Sequence, residues 1–155
     1  MADIKRHAPP RAGAMMEALR GLGYTTATAL ADVVDNSISA GASEIHLHFD
    51  WDNANISVMD DGIGMSDAEL EAAMTLGSIN PLDVRSSSDL GRFGMGLKTA
   101  SFSQCRRLTV ASKRKDGEII CLRWDLDAIA NDPELGWSMF EGPALGSERF
   151  IQPLE

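Results

Sequence analysis

The chain is 155 residues long, 44% hydrophobic and 24% charged, with 14 Lys and Arg against 23 Asp and Glu and a formal charge of -9. That length supports one domain with its own core and not two. The acidic balance disfavours general attraction to nucleic acid or anionic membrane, and no apolar run approaches the ~20 residues of a membrane-spanning helix.

Residues 1–13 carry Pro9, Pro10 and Gly13 without periodicity and read as a flexible arm, leaving 14–155 as the folded domain. The start lacks the apolar stretch of a secretory signal, so a cytoplasmic or nuclear location is expected. Cys105 and Cys121 make neither a disulfide framework nor a zinc spacing; they read as inert core thiols. Ala14 to Gly23 predicts a short helix closed by glycine. A second helix is predicted from Thr26 or Thr28 to Ala40, with a threonine N-cap and Gly41 as terminator. On it Leu30, Val33, Val34 and Ile38 form a stripe expected to pack on a sheet. Asp32 and Asn36, four residues apart, share a different face. An amide oxygen is a hard magnesium ligand and a carboxylate can orient or deprotonate a water beside the metal, although polar residues on an outer helix face also satisfy this pattern.

"SEIHLHFDW" alternates, with Ile45, Leu47 and Phe49 on one face, and predicts a half-buried strand. His46 and His48, on its other face, are read as polar positions and not as a metal site. "NISVMDD" predicts a second strand running into "DGIGM". Asp60 and Asp61 end that strand, and Gly62 and Gly64 let the backbone turn and approach a ligand closely. Such aspartates could bind a metal, stabilise the turn, or accept a hydrogen bond from a nucleobase amino group. "SDAELEAAMTLG" has a serine cap and early acids, hence a helix.

The next segment, rich in Ser, Asp, Pro and Gly, is too long and unpatterned for an ordinary connection. It leads into "GRFGMGLKTAS", where Gly91, Gly94 and Gly96 expose backbone N–H groups ahead of a helix starting near Leu97. Leu97 separates Gly96 from Lys98, so this is not the G-K-[ST] order of a P-loop. Backbone donors at a helix N-terminus nonetheless make an anion site. Lys98 opposes the helix dipole there, which points to a bound anion compensating it. "RRLTVASKRKDGEIICLRWDL" predicts a hairpin turning at Asp116-Gly117, with its basic residues as a solvated rim. "GSERFIQPLE" predicts a last strand. Hairpins and separate helices together indicate an α+β fold, with helices on one face of a mainly antiparallel sheet.

In their order, D-x-x-x-N (Asp32, Asn36), D-D-G-I-G-M (Asp60 to Met65) and G-R-F-G-M-G-L-K (Gly91 to Lys98) resemble the N, G1 and G2 boxes of the GHKL ATPases. That group includes the DNA gyrase B subunit, heat-shock chaperones, MutL, histidine kinases and MORC proteins; the last box is most similar to the MORC-type branch. The resemblance implies a two-layer α/β sandwich of the Bergerat type that binds ATP and Mg2+. It implies that Asp60 hydrogen-bonds the adenine amino group, with Ser147 helping through water. Gly62, Gly64 and Met65 would shape the base pocket, and Asn36 would coordinate magnesium. Gly91, Arg92, Phe93, Gly94, Met95, Gly96 and Leu97 would cradle the phosphates, Lys98 would neutralise them, and residues 78–90 would be the ATP lid. The family's general base is normally a glutamate four residues before the asparagine. Asp32 stands there, one carbon–carbon bond (about 1.5 Å) shorter, so ATP hydrolysis is expected to be slow. The resemblance also implies an ATP-dependent homodimer, with DNA or chromatin as partners through the family alone and no membrane partner. A following transducer domain is expected to lie outside this chain. A nucleotide-gated switch with little hydrolysis, a histidine-kinase phosphotransfer domain and a protein-interaction domain that binds no nucleotide are the alternatives.

Overall fold

The computed structural model describes residues 6–77 and 96–154. The expected lid (78–90) and Gly91, Arg92, Phe93, Gly94 and Met95 lie outside the described residues, as do residues 1–5 of the arm. The architecture is α+β. Helices α1 (Ala12–Arg20) and α2 (Thr26–Ser39) precede strands β1 (Ile45–Asp50) and β2 (Asn55–Asp60), and α3 (Asp67–Met74) and α4 (Gly96–Gln104) follow. Strands β3 (Arg107–Lys113) and β4 (Ile119–Asp125), helix α5 (Leu126–Asn131) and the short strand β5 (Phe140–Glu141) complete the regular elements.

The helix starts follow from local chemistry. Thr25 caps α2 by accepting from Thr28 N–H, and Thr28 returns the bond to Thr25 N–H. Ser66 and Glu69 make the same reciprocal box at α3. Each box satisfies donors that a helix end leaves orphaned.

The described strands pair antiparallel as two separate ladders, β1-β2 and β3-β4-β5, and not as one sheet. Ile45 stands opposite Asp60, Leu47 opposite Val58 and Phe49 opposite Ile56. The predicted hairpin forms with Leu108 opposite Trp124, and Asp116 takes the positive φ of 62° that its turn requires.

The main core joins the first and second halves of the chain. Met16 of α1, Leu70 and Met74 of α3, Phe102 of α4, Trp124 of β4, and Leu126 and Ile129 of α5 are all buried in one cluster. Phe102 and Trp124 meet edge to face with centroids 6.4 Å apart, and Trp124 Nε1 donates to Met74 O at 2.9 Å. The indole thus packs an apolar body while its polar tip meets a helix-end carbonyl.

Three sequence expectations change here. The α2 stripe does not bury on a sheet: Leu30, Val33 and Val34 are half-buried and Ile38 is 53% exposed. Its buried positions are Ala29 and Ser37, and α2 packs mainly on α4, where small side chains let two helices approach. In β1, Leu47 is 41% and Phe49 38% exposed, so the expected inner face is not buried; Phe49 stacks on Trp51 at 5.7 Å. The C-terminal segment forms 3-10 turns at Glu148–Phe150 and Gln152–Leu154, not a strand. Its backbone bonds locally, Phe150 N–H to Ser147 O and Leu154 N–H to Ile151 O, and Pro153 has no N–H to give a ladder.

The thiols lie outside the buried core cluster. Both are partly buried and unbridged, and burial pushes Cys105 up to about 11. Among the described residues, no helix is long and apolar enough to cross a membrane.

Candidate functional site

A cleft of about 1640 Å³ opens between the α2–α4 pair and the strands, and it gathers residues distant in sequence. Asp32 and Asn36 enter it from α2, Asp60, Gly62, Gly64 and Met65 from the end of β2 onward, Gly96 and Leu97 from α4, and Ser147 from the C-terminal segment.

The β2 end resolves the two aspartates into different roles. Asp61 points away: its carboxylate accepts from Ser43 N–H at 2.7 Å and Glu44 N–H at 2.8 Å and also from Ser43 Oγ. The Glu44 N–H bond first, with the Ser43 hydroxyl, holds its carboxyl down at about 2, so Asp61 is a turn anchor. Asp60 borders the cleft. Its Oδ2 accepts from Ser37 Oγ at 2.8 Å and its Oδ1 from Gly62 N–H at 2.9 Å, which fixes the carboxylate while leaving it exposed.

Beyond Asp60 the backbone must run where no side chain fits. Gly64 has φ +67°, and a Cβ there would stand 2.1 Å from Lys113 O. A Cβ on Gly62 would meet the Ala40 Cβ at 2.9 Å. The loop is thereby pressed against α2 on one side and β3 on the other, and Met65 N–H donates to Ser112 Oγ at 2.8 Å to complete the seam. Glycine at these positions is a packing requirement.

On α2, Asn36 Nδ2 donates to Asp32 O at 2.9 Å, so the amide donor is engaged by its own helix and the amide oxygen is the atom available for a ligand. The Asp32 carboxylate receives Tyr24 Oη at 2.8 Å. That bond, with burial second, pushes the Tyr24 phenol up, and Thr99 of α4 bonds the same phenol. Asp32 is also close to the start of α4: a Cβ built on Gly96 would lie 4.0 Å from its Oδ2.

Lys98 lies apart from the other expected site residues. Its side chain is fully buried and does not border the cleft. Nζ donates to Ala73 O at 2.7 Å and Thr75 O at 2.8 Å, at the end of α3. The physical reason is the dipole: a cation unfavourable in the first turn of α4 is favoured at the C-terminal carbonyls of α3.

Among the described residues no cluster of three or more His, Cys, Asp and Glu side chains forms a metal cage. The donor set fits a magnesium ion that arrives with phosphate oxygens, to which Asn36 adds one hard neutral oxygen. The basic residues expected to be a solvated rim are largely paired: Arg106 with Glu17 and Asp127, Arg107 with Asp125, Arg114 with Glu69.

Sequence reasoning missed Tyr24, Ser37 and Ser112. Tyr24 is the chain's one tyrosine and precedes a helix cap, which gives no hint that it turns back to Asp32. Ser37 follows Asn36 directly and falls on the buried side of the same helix, a position legible only once α4 is in place.

Comparison with known proteins gives the family. The profile of the "Histidine kinase-, DNA gyrase B-, and HSP90-like ATPase" family matches residues 24–141. The chain is 37% identical over 97 residues to the ATPase morc-1 of Caenorhabditis elegans, covering 61% of this chain and 11% of that protein. It is 28% identical over 94 residues to the DNA mismatch repair protein MutL of Rickettsia bellii, covering 59% of this chain and 15% of that protein. The MutL of Rickettsia prowazekii is 30% identical over 94 residues, covering 59% and 16%. The chain thus spans between a tenth and a sixth of the length of these curated relatives. The profile's match over residues 24–141, more than half of the chain, shows that the chain belongs to the histidine kinase-, DNA gyrase B- and HSP90-like ATPase family.

Proposed function

We propose that this domain binds ATP with magnesium in the cleft between α2, α4 and the β2 end and hydrolyses it slowly. The single observation that supports this most is the convergence of Asp32, Asn36, Asp60 and Gly96 on one cleft from separate parts of the chain.

In this reading the Asp60 carboxylate accepts from the adenine amino group, with Ser147 assisting through water. Gly62, Gly64 and Met65 form the wall against the flat base. Asn36 Oδ1 ligates the magnesium ion, whose contribution when bound is to neutralise phosphate charge. The N–H groups of Gly96 and Leu97, with those of Gly91 to Met95, hold the phosphates. Asp32 orients the attacking water and takes its proton. Residues 78–90 act as the ATP lid, and nucleotide drives pairing of two protomers in the full-length protein. DNA as a partner of that protein is suggested by the name of the mismatch-repair relatives, and chromatin by the family resemblance alone.

A second reading is favoured by one observation. Asp32 is already engaged by Tyr24 at 2.8 Å, which competes with a water for the same oxygen; the domain then serves as a nucleotide-gated switch with little turnover.

The test is calorimetric titration with ADP and ATP, with and without magnesium, on the wild type and on Asp60→Asn, with phosphate release measured alongside. The variant turns an acceptor oxygen into a donor, and a lost hydrogen bond to a charged group of about 1.5–3 kcal/mol weakens binding roughly 10- to 150-fold. Unchanged affinity in Asp60→Asn rejects the adenine assignment. Tight binding without phosphate release selects the switch over the hydrolase.

A further inference from the structure

We infer that Lys98 is a positioning residue, tying the first turn of α4 to the last turn of α3 and so fixing where Gly96 and Leu97 stand relative to the Asp32 carboxylate. The inference rests on the reading of the cleft as an ATP site and concerns how that site is held in shape.

Three consecutive carbonyls end α3, and each is met by a side chain from elsewhere in the fold. Lys98 Nζ donates to Ala73 O and Thr75 O, and Trp124 Nε1 donates to Met74 O between them. Backbone carbonyls at a buried helix end need such partners. Swinging the ammonium into the cleft would strip two of them at once, a loss of two hydrogen bonds that nothing among the described residues replaces.

The far end of α4 is held in a related way. Arg20 of α1 donates through NH1 to Phe102 O and Cys105 O, both at 2.6 Å. The side of α4 facing α2 is fixed by Thr99, which shares the Tyr24 phenol with Asp32. The helix is therefore anchored at its C-terminal end by Arg20, laterally by Tyr24, and at its N-terminal turn by Lys98. Remove the last anchor and the turn carrying Gly96 is the part free to shift. Because Asp32 Oδ2 lies 4.0 Å from the Gly96 Cβ position, a displacement of about 1 Å there is enough to cost on the order of a hundredfold in rate.

Among the described residues no ion pair involves Lys98. Burial alone pushes its ammonium down to about 8. A lysine that bound the triphosphate would be driven the other way by the ligand's charge.

That difference supplies the test. Lysine side chains labelled at Cε are titrated by NMR in the wild-type chain, free and with a non-hydrolysable Mg-ATP analogue, with Lys98→Arg assigning the signal. The expected result is a Lys98 titration near pH 8 in both states. A nucleotide-induced rise toward the ordinary lysine range overturns the inference and restores a phosphate contact. In parallel, amide exchange is compared in ligand-free wild type, Lys98→Met and Lys98→Arg. Residues 96–99 and 73–76 should exchange roughly tenfold or more faster in Lys98→Met, with recovery in Lys98→Arg and little change at Gly62 and Gly64. Unchanged exchange at those segments refutes the tether. If Lys98→Met does not fold, the wild-type titration still decides. If the analogue does not bind, as calorimetry on the same sample reports, the ATP reading fails while the exchange comparison still judges the tether.

Discussion

Replacing Gly64 by alanine isolates the close approach that shapes the loop after β2. The new Cβ would stand 2.1 Å from Lys113 O, 2.7 Å from Lys113 C and 3.1 Å from Arg114 N, all backbone atoms of the β3 end that cannot rotate away. Ordinary contact begins near 3.4 Å, so the loop or the strand end must retreat by more than an ångström. The φ of +67° adds a conformational cost for any L side chain, about 1–2 kcal/mol. Forced repacking adds about 1–3 kcal/mol, for a total of roughly 2–5 kcal/mol. Gly41→Ala is the control, because Gly41 has φ +73° with nothing within 4 Å and carries the conformational cost alone. Urea denaturation should show Gly64→Ala less stable than Gly41→Ala by at least about 1 kcal/mol, the lower end of that repacking cost. Calorimetry should show weaker Mg-ATP binding in Gly64→Ala only. Equal denaturation midpoints for the two variants would refute the argument that backbone contact, and not φ alone, demands glycine at this position.

Two further outcomes follow from the site. Asp32→Glu extends the carboxylate by one bond, about 1.5 Å, and should raise phosphate release by tens of fold, within the ~100-fold that an ångström of misplacement costs, with ATP affinity nearly unchanged; a variant as inactive as the wild type counts against Asp32 as the base. Asp61 is held at about 2 against its ordinary 3.8, a lowered folded value, so its contribution to stability is present above pH 4 and is lost as pH falls toward 2. The gap between wild-type and Asp61→Asn urea midpoints should be widest near pH 5–7 and close by about pH 2, and a gap independent of pH would reject the carboxylate's role as anchor of the turn.

What could be read from the sequence was whatever is local. The α2 and α3 boundaries follow from threonine and serine boxes, and the β3–β4 hairpin from its Asp-Gly turn and alternating apolar residues. The spacing of Asp32 to Asn36 and the order Asp60, Gly62, Gly64 were likewise visible, since one turn of helix and one strand end specify them. What escaped is set by contacts between distant elements. Nothing near Ile38 announces that α2 packs on α4 by its Ala29–Ser37 side. Two adjacent aspartates look alike in sequence, yet Ser37 claims one and the Ser43–Glu44 backbone the other. The place that Lys98 takes escaped for the same reason. Its conflict with its own helix dipole was plain, but the partner resolving the conflict lies on α3, more than twenty residues earlier.

The fate of the cations bears on how a triphosphate would be balanced in so acidic a chain. Those bordering the cleft in the described structure are each engaged elsewhere: Arg106 by Glu17 and Asp127, Arg107 by Asp125, Arg149 by Asp50, and Lys113 by Leu154 O. Lys98 faces away altogether. Drawing one of the arginines to a phosphate would first expose the carboxylate it neutralises, and drawing either lysine would strip a backbone carbonyl of its donor, so the net gain is small. Backbone N–H groups carry partial charge only, and they cannot offset several full negative charges in a half-enclosed cleft. Under the proposed function the balance falls on magnesium held by Asn36 together with the amides at the start of α4. The arm of the calorimetric experiment run without magnesium therefore bears hardest on the proposal: ATP should then lose far more affinity than ADP, because the additional phosphate adds charge that no uncommitted cation among the described residues bordering the cleft meets.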